Sequence, residues 1–325
     1  MDIEVDLRQL SGRLAPIDVH DIRPLHGGAS SLTYVGTIAG DGTRRVVVKV
    51  APAWVAPVRN RDVLRQARLL RALHHTEVPV PEVLWEDAGD PPGVPPLFVM
   101  SFVEGTSLEP LFDLDGDENE TLVAERMRNA ARTMAGLHAL EPDGLGLSDE
   151  PLVGPGDEVD RWCRLLETVD EALAPGWEAV AVSLRAGAVP ARSAAVVHGD
   201  FRLGNTLAVG ARIAAVVDWE IWSVGDPRVD VGWFLANAAP GTYRRPTRYV
   251  DSLPVPAELV EIYCAALGHD VSALSWFQAL ACFKSTATWS LIVKHNRRRA
   301  APDPAIEEMA TALPHLLERT RELLR

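Results

Sequence analysis

Between positions 196 and 230 the chain gathers side chains whose types suit the transfer of a phosphoryl group. His198-Gly199-Asp200 follows a short apolar run at 194–197, Asn205 comes later on the same loop, and Asp218-Trp219-Glu220 closes a second run at 213–217. Both runs are β-branched, bounded by turn residues, and read as buried strands. A carboxylate at Asp200 suits acceptance of the proton of an incoming hydroxyl. Magnesium prefers oxygen ligands and needs only one or two carboxylates beside phosphates, and Asn205 and Asp218 can offer it a carbonyl and a carboxylate. Arg202 presents a planar, permanently charged fork that suits a phosphate oxygen gaining charge. Asp and Asn after a strand are ordinarily turn formers. Turn formation alone, however, does not require two such strand ends, the Asp–Asn interval and the Gly225-Asp226-Pro227 that follows.

The interval from Asp200 to Asn205 is the D-x-x-x-x-N of a kinase catalytic loop. The stretch resembles the aminoglycoside phosphotransferase and choline kinase superfamily, which is related to the protein kinases. The resemblance implies that Asp200 is the catalytic base and that Asn205 and Asp218 hold magnesium. It also implies that the acids of Gly225-Asp226-Pro227 and Asp230 brace the catalytic loop. The wording F-R-L-G-N at 201–205, followed by V-D-W-E at 217–220, is closest to a branch found with acyl-CoA metabolism. Many antibiotic kinases carry a His where Arg202 stands.

Upstream elements must present the nucleotide to this loop. The small-residue stretch 26–31, with Gly27, Gly28, Ser30 and Ser31, precedes an alternating strand at 32–38. Such a loop lets backbone N–H groups approach phosphates, although Gly-Gly is also an ordinary hairpin signal. It lacks the Walker A and G-x-G-x-x-G patterns, but G-G-A-S-S-L-T-Y resembles the superfamily's nucleotide loop. Lys49 ends the valine run 46–48, like the strand lysine that binds a kinase's α and β phosphates. On the following helix, 59–74, alignment with the family places Gln66 where a Glu should pair with that lysine. Asp62 is the first substitute, with Glu77 and Glu82 behind it. Residues 101–105 correspond to the family's hinge, whose backbone binds the adenine edge, making Ser101 and Val103 candidates; a buried strand end is the plainer reading.

Composition sets the outer bounds. The 325 residues suffice for two lobes or one large core. A formal net charge of −13 argues against a nucleic-acid partner. Cys163, Cys264 and Cys282 are widely separated, without metal spacing, which suits free thiols in a reducing compartment. No run is apolar and long enough to span a bilayer, and the acidic N-terminus lacks a signal peptide's pattern. A cytoplasmic location without membrane attachment is therefore expected.

The expected fold is α+β: a protein-kinase-like, two-lobed arrangement with an antiparallel-sheet N-lobe at 1–100, a hinge at 101–105 and a mainly helical C-lobe at 106–325. After the catalytic stretch, helices are expected at about 256–267, 271–299 and 304–324, the second carrying Lys284 and Arg297-Arg298-Arg299. The arginine triplet is either a solvated helix end or, like Arg244 and Arg245, a receiver of an anionic substrate tail. The expected activity uses ATP and magnesium to phosphorylate a small-molecule hydroxyl. The readings weighed are a hydroxyacyl-CoA or related metabolite, an aminoglycoside or macrolide antibiotic, and a non-catalytic nucleotide-binding scaffold.

Overall fold

The computed structural model describes residues 7–25, 31–38, 44–54, 56–113, 116–245 and 247–325. They fall into two compact units. The first takes residues up to 106 together with 206–209 and 213–222, and the second takes the remainder.

The first unit begins with helix α1 (Leu7–Leu14), followed by β1 (Val19–Pro24), β2 (Leu32–Ile38), β3 (Arg44–Val50), helix α2 (Val63–His74), β4 (Val83–Asp87) and β5 (Leu97–Ser101). The strands form one antiparallel sheet in the order β1-β2-β3-β5-β4. β3 is central because its Val46–Val50 segment is almost wholly buried and β-branched, which fits a pleated interior position. Val46, Val48 and Val50 point to a core shared with Leu10 and Leu14 of α1, Leu97 and Val99. Strand alternation therefore places Lys49 on the opposite face with Val47. Helix α2 starts at an N-cap, Asp62, whose Oδ1 accepts the Arg65 amide at 3.0 Å. Asp62 is therefore occupied in capping, which corrects its expected role as a partner of Lys49. Glu82 pairs with Arg44 at 2.6 Å, and Glu77 lies exposed.

The second unit contains α3 (Glu120–His138), β6 (Leu152–Val153), α4 (Pro155–Leu166), α5 (Trp177–Ala186) and β7 (Ala195–Val197). The chain then returns to the first unit through β8 (Thr206–Val209) and most of β9 (Arg212–Val216). β10 (Ser223–Gly225), α6 (Arg228–Ala238), α7 (Pro256–Leu267), α8 (Leu274–Asn296), α9 (Pro304–Glu308) and α10 (Leu313–Leu323) complete the second unit. β10 pairs antiparallel with β7 and parallel with β6. α6 lies directly on α8: a Cβ at Gly232 would come within 2.5 Å of the Phe277 backbone, so glycine is what permits this approach. The helix expected over 304–324 is two helices joined by a 3-10 turn at Met309–Ala312, and α10 starts with Pro314 in its first turn, where no intrahelical N–H is needed. α8 starts later than expected because Ala273 is left-handed (φ 60°). No helix among the described residues is long and apolar enough to cross a membrane.

Candidate active site

Within the first unit, Lys49 is held by three side chains. Its Nζ lies 3.4 Å from Gln66 Oε1, 3.5 Å from Asp218 Oδ1 and 3.4 Å from Glu220 Oε1. Gln66 thus reaches Lys49, as the alignment expects of this helix position. The charge a Glu would bring comes instead from Glu220, whose side chain is only 13% exposed. The same oxygen accepts the Ser31 hydroxyl at 3.2 Å, so the end of the small-residue loop is tied to Lys49's partner. Gly27, Gly28 and Ser30 lie outside the described residues.

Asp218 and Glu220 reach the same lysine because the chain turns sharply after β9. Asp218 is left-handed (φ 67°), and Trp219–Ile221 forms a 3-10 turn. Such a conformation for a non-glycine residue costs on the order of 1–3 kcal/mol and persists only where its surroundings fix it. Here Trp219 is buried and its Nε1 donates to the Val216 carbonyl at 2.9 Å. Arg65 of α2 lies over the Trp222 ring at 3.8 Å and donates to the Trp222 carbonyl at 3.1 Å. The helix that carries Gln66 and the turn that carries both acids are therefore locked together.

Ser101 ends β5. Its amide donates to the Glu82 carbonyl at 2.8 Å, and its hydroxyl accepts the Glu82 amide at 3.0 Å. The Ser101 N–H is therefore already used inside the sheet and cannot donate to an adenine edge. Phe102 donates its own amide to the Arg45 carbonyl at 3.1 Å, and Val103 follows outside the strand.

In the second unit, the side chains around the loop 198–205 converge on Asp200. Asn205 donates its side-chain nitrogen to Asp200 Oδ2 at 2.7 Å and to the Asp200 carbonyl at 2.9 Å. The Asn205 side-chain oxygen remains the atom a hard cation would take. Asp200 Oδ1 faces Arg202 Nε at 3.5 Å and Lys284 Nζ at 3.9 Å. Burial works against ionisation of this carboxyl, but Lys284, Arg202, His198 and Asn205 outweigh it and hold it below the usual aspartate range. Arg202 also donates to Glu109 Oε2 at 2.9 Å, and the same oxygen accepts the Gly204 amide at 3.1 Å. Burial pushes the Glu109 carboxyl up, against the pull of Arg202. The expected phosphate-facing fork of Arg202 is thus engaged with two carboxylates, the nearer being Glu109 at 2.9 Å and the other Asp200 at 3.5 Å.

The loop is fixed from beneath by Asp230. Its Oδ2 accepts the His198 amide at 2.6 Å and its Oδ1 the Gly199 amide at 2.8 Å. Gly199 adopts φ 83°, a left-handed turn suited to glycine. His198 Nδ1 in turn accepts the Asp200 amide at 3.1 Å. His138 stands behind Asp230, with Nε2 at 3.2 Å from it and Nδ1 at 2.8 Å from the Tyr263 hydroxyl, so both ring nitrogens are engaged within the protein. Asp226 pairs with Arg228 at 2.7 Å and accepts the Arg192 amide at 3.1 Å. Of the arginines considered for a substrate tail, Arg297 pairs with Glu307 at 2.5 Å, while Arg245 lies over the Phe112 ring at 5.7 Å.

The model of a family described as the phosphotransferase enzyme family matches residues 21–277. The chain belongs to that family. Its fold is that of solved phosphotransferases. A protein of Ralstonia eutropha JMP134 provisionally named an aminoglycoside phosphotransferase superposes with a TM-score of 0.77 at 19% identity, covering 99% of this chain and 98% of its own. The macrolide 2'-phosphotransferase MphH of Brachybacterium faecium gives 0.58 at 19% identity, over 94% and 97%. A thermostable mutant of aminoglycoside phosphotransferase APH(4)-Ia, solved with ADP and hygromycin B, gives 0.60 at 16% identity, over 98% and 97%. Among curated proteins, acyl-CoA dehydrogenase family member 10 of Mus musculus is 24% identical over 83% of this chain and 26% of its own length. Family member 11 of Gallus gallus is 27% identical over 83% and 36%. The chain therefore spans about a quarter to a third of the curated relatives it matches. The kinase-like α+β fold class and the phosphotransferase assignment both hold.

Proposed function

We propose that this chain transfers the γ-phosphoryl group of ATP to the hydroxyl of a small molecule, with magnesium as cofactor. The observation that carries the reading is the state of Asp200. Its carboxyl is oriented by Asn205 and kept ionised by neighbouring cations, as a residue that accepts a hydroxyl proton must be. Lys49, fixed by Glu220 and Gln66, engages the nucleotide phosphates. Asn205 and Asp218 offer magnesium a carbonyl and a carboxylate, a donor set suited to an ion that keeps waters and phosphate oxygens as its other ligands. When bound, that ion neutralises charge on the phosphates. Asp200 orients the acceptor hydroxyl and takes its proton, and most of the rate comes from positioning and electrostatics. Residues 1–100, with the turn at 218–220, serve the nucleotide, and the rest of 106–325 carries the catalytic loop and the acceptor pocket; at the hinge Val103, rather than the sheet-bonded Ser101 N–H, is left to offer an amide donor to the base.

For the acceptor we favour a hydroxyacyl-CoA or a related hydroxy metabolite. The support is Arg202 within F-R-L-G-N and the acyl-CoA dehydrogenase names of the curated relatives. A non-catalytic scaffold would be favoured by Gln66 standing where a kinase helix carries Glu, but Glu220 supplies Lys49 with a carboxylate. The test is an acceptor screen with magnesium-ATP, in which mass spectrometry seeks a phosphate added to hydroxyacyl-CoA esters, hydroxy acids, aminoglycosides and macrolides. Phosphorylation by the wild type and not by Asp200→Asn supports the reading. Equal turnover by both proteins overturns it.

A further inference from the structure

Helix α8 delivers a lysine to the catalytic loop. Lys284 is 4% exposed, donates to the Gly199 carbonyl oxygen, and holds its Nζ 3.9 Å from Asp200 Oδ1. Its ammonium lies 3.6 Å from the Trp233 ring centroid of α6 and 5.4 Å from that of Trp162 of α4. Lysine is almost never buried unless paired, because desolvating the ammonium is costly. An apolar residue at this point of α8 would satisfy packing alone. A buried ammonium aimed at the peptide that carries the base calls for another explanation.

We propose that Lys284 is a positioning residue for the transfer reaction: its ammonium fixes the Gly199–Asp200 peptide and offsets the Asp200 carboxylate so that an anionic phosphoryl group can approach it. The inference rests on the proposed role of Asp200 and deepens it. A triphosphate and a carboxylate repel each other, and a cation held within a few ångströms behind the carboxylate reduces that repulsion without occupying the reacting face. The charged groups facing Lys284 are Asp200 on the catalytic loop, Glu158 and Arg161 on α4, and Asp230 on α6. Burial pushes its pKa down to about 8, and Asp200 and Glu158 pull it back upward. The ammonium therefore loses its proton in an accessible range, and the compensation is lost with it.

The test has two arms. In the first, lysine side chains are labelled with ¹³C at Cε and titrated by NMR, the Lys284 signal being assigned by its absence from Lys284→Met. The proposal expects a signal titrating near pH 8 that moves down by about one pH unit in Asp200→Asn, the size expected on removing an opposite charge a few ångströms away. A Lys284 signal indifferent to Asp200→Asn overturns it, whether or not Lys284→Met folds well. In the second arm, release of ADP from magnesium-ATP is followed across pH with water as the probe acceptor. Lys284→Met should lose about tenfold or more in kcat with little change in the KM for ATP. Lys284→Arg, whose guanidinium does not titrate here, should keep turnover and lose the basic limb that the wild type shows above about pH 8. Wild-type turnover by Lys284→Met, or an unchanged basic limb in Lys284→Arg, overturns the proposal. If Asp200→Asn keeps wild-type turnover, the proposed function fails; if it is inactive while Lys284→Met is not, only the role of Lys284 fails.

Discussion

Lys49 Nζ and Glu220 Oε1 lie 3.4 Å apart, and both side chains are largely shielded from water, at 10% and 13% exposure. The carboxylate that a kinase takes from its helix comes here from the turn two residues after Asp218. The helix still contributes, through Gln66 Oε1 at 3.4 Å, but as a neutral acceptor. Charge has moved from α2 to the turn while the lysine keeps both contacts.

This exchange predicts a rescue. Glu220→Gln should lower kcat/KM for ATP by roughly 10–100-fold, in line with losing a charge-assisted contact of about 1.5–3 kcal/mol. Adding Gln66→Glu to that variant restores a carboxylate beside Lys49 and should recover most of the loss. Steady-state kinetics of the two single variants and the double variant form a mutant cycle. Additive losses would show that the two positions do not share the lysine.

Asp200→Asn should reduce kcat by roughly 10²–10⁴-fold, the usual worth of a positioned base. ATP affinity, read by calorimetry, should change little, because the nucleotide is assigned to Lys49 and its partners. A parallel loss of ATP affinity would show that Asp200 acts on the nucleotide and not on the acceptor.

The candidate catalytic loop is legible in the sequence as a cluster because its parts are contiguous: Asp200, Asn205 and their brace Asp230 lie within one short stretch. Glu220 is adjacent to that pattern yet is passed over, since i and i+2 share a face in a strand but not in a helix. Only the left-handed Asp218 and the 3-10 turn after it bring both acids onto Lys49. Lys284 is harder to read. It sits in a helix buried nearly all round, where periodicity marks no single functional face. The available signal is a lone cation in the apolar run A-L-A-C-F-K. Ser101 shows the reverse limit, because whether a backbone N–H is free depends on strand register, which side-chain identity does not encode.

Two glycine substitutions separate close approach from helix propensity. Gly232→Ala would place a methyl 2.5 Å from the Phe277 backbone, where no side-chain rotation relieves the clash between α6 and α8. It should cost about 1–3 kcal/mol. Gly136→Ala in α3 meets nothing within 4 Å and should stabilise by about 0.5–1 kcal/mol. Denaturant midpoints report both, and opposite signs are expected.

Asp230→Asn tests the brace. One amide bond to the loop can survive through the carboxamide oxygen, but its NH₂ group would face a backbone N–H, donor against donor. The site is fully buried, so a loss of roughly 2–3 kcal/mol of stability is expected. At temperatures where the variant remains folded, kcat should still fall by about tenfold or more, because the Asp200 peptide is no longer fixed. Full activity in the folded variant would mean that His198 and Gly199 hold the loop without it.

Lys284 also leaves a mark on stability. Its folded pKa of about 8 lies below the ordinary lysine value of 10.5, so between those values the unfolded chain binds more proton than the folded one. Stability therefore rises with pH across that window, and the cost of burying the ammonium, about 3 kcal/mol at neutral pH, is progressively relieved. Lys284→Met removes the titration while keeping a similar volume. Measured as a difference between wild type and variant, which cancels the titration of distant groups, the wild type should gain about 2 kcal/mol relative to Lys284→Met from about pH 7 to about pH 10. A difference that stays flat over this range would mean that Lys284 is as well solvated as an ordinary lysine, and the low pKa of Asp200 would have to be reassigned to Arg202, His198 and Asn205.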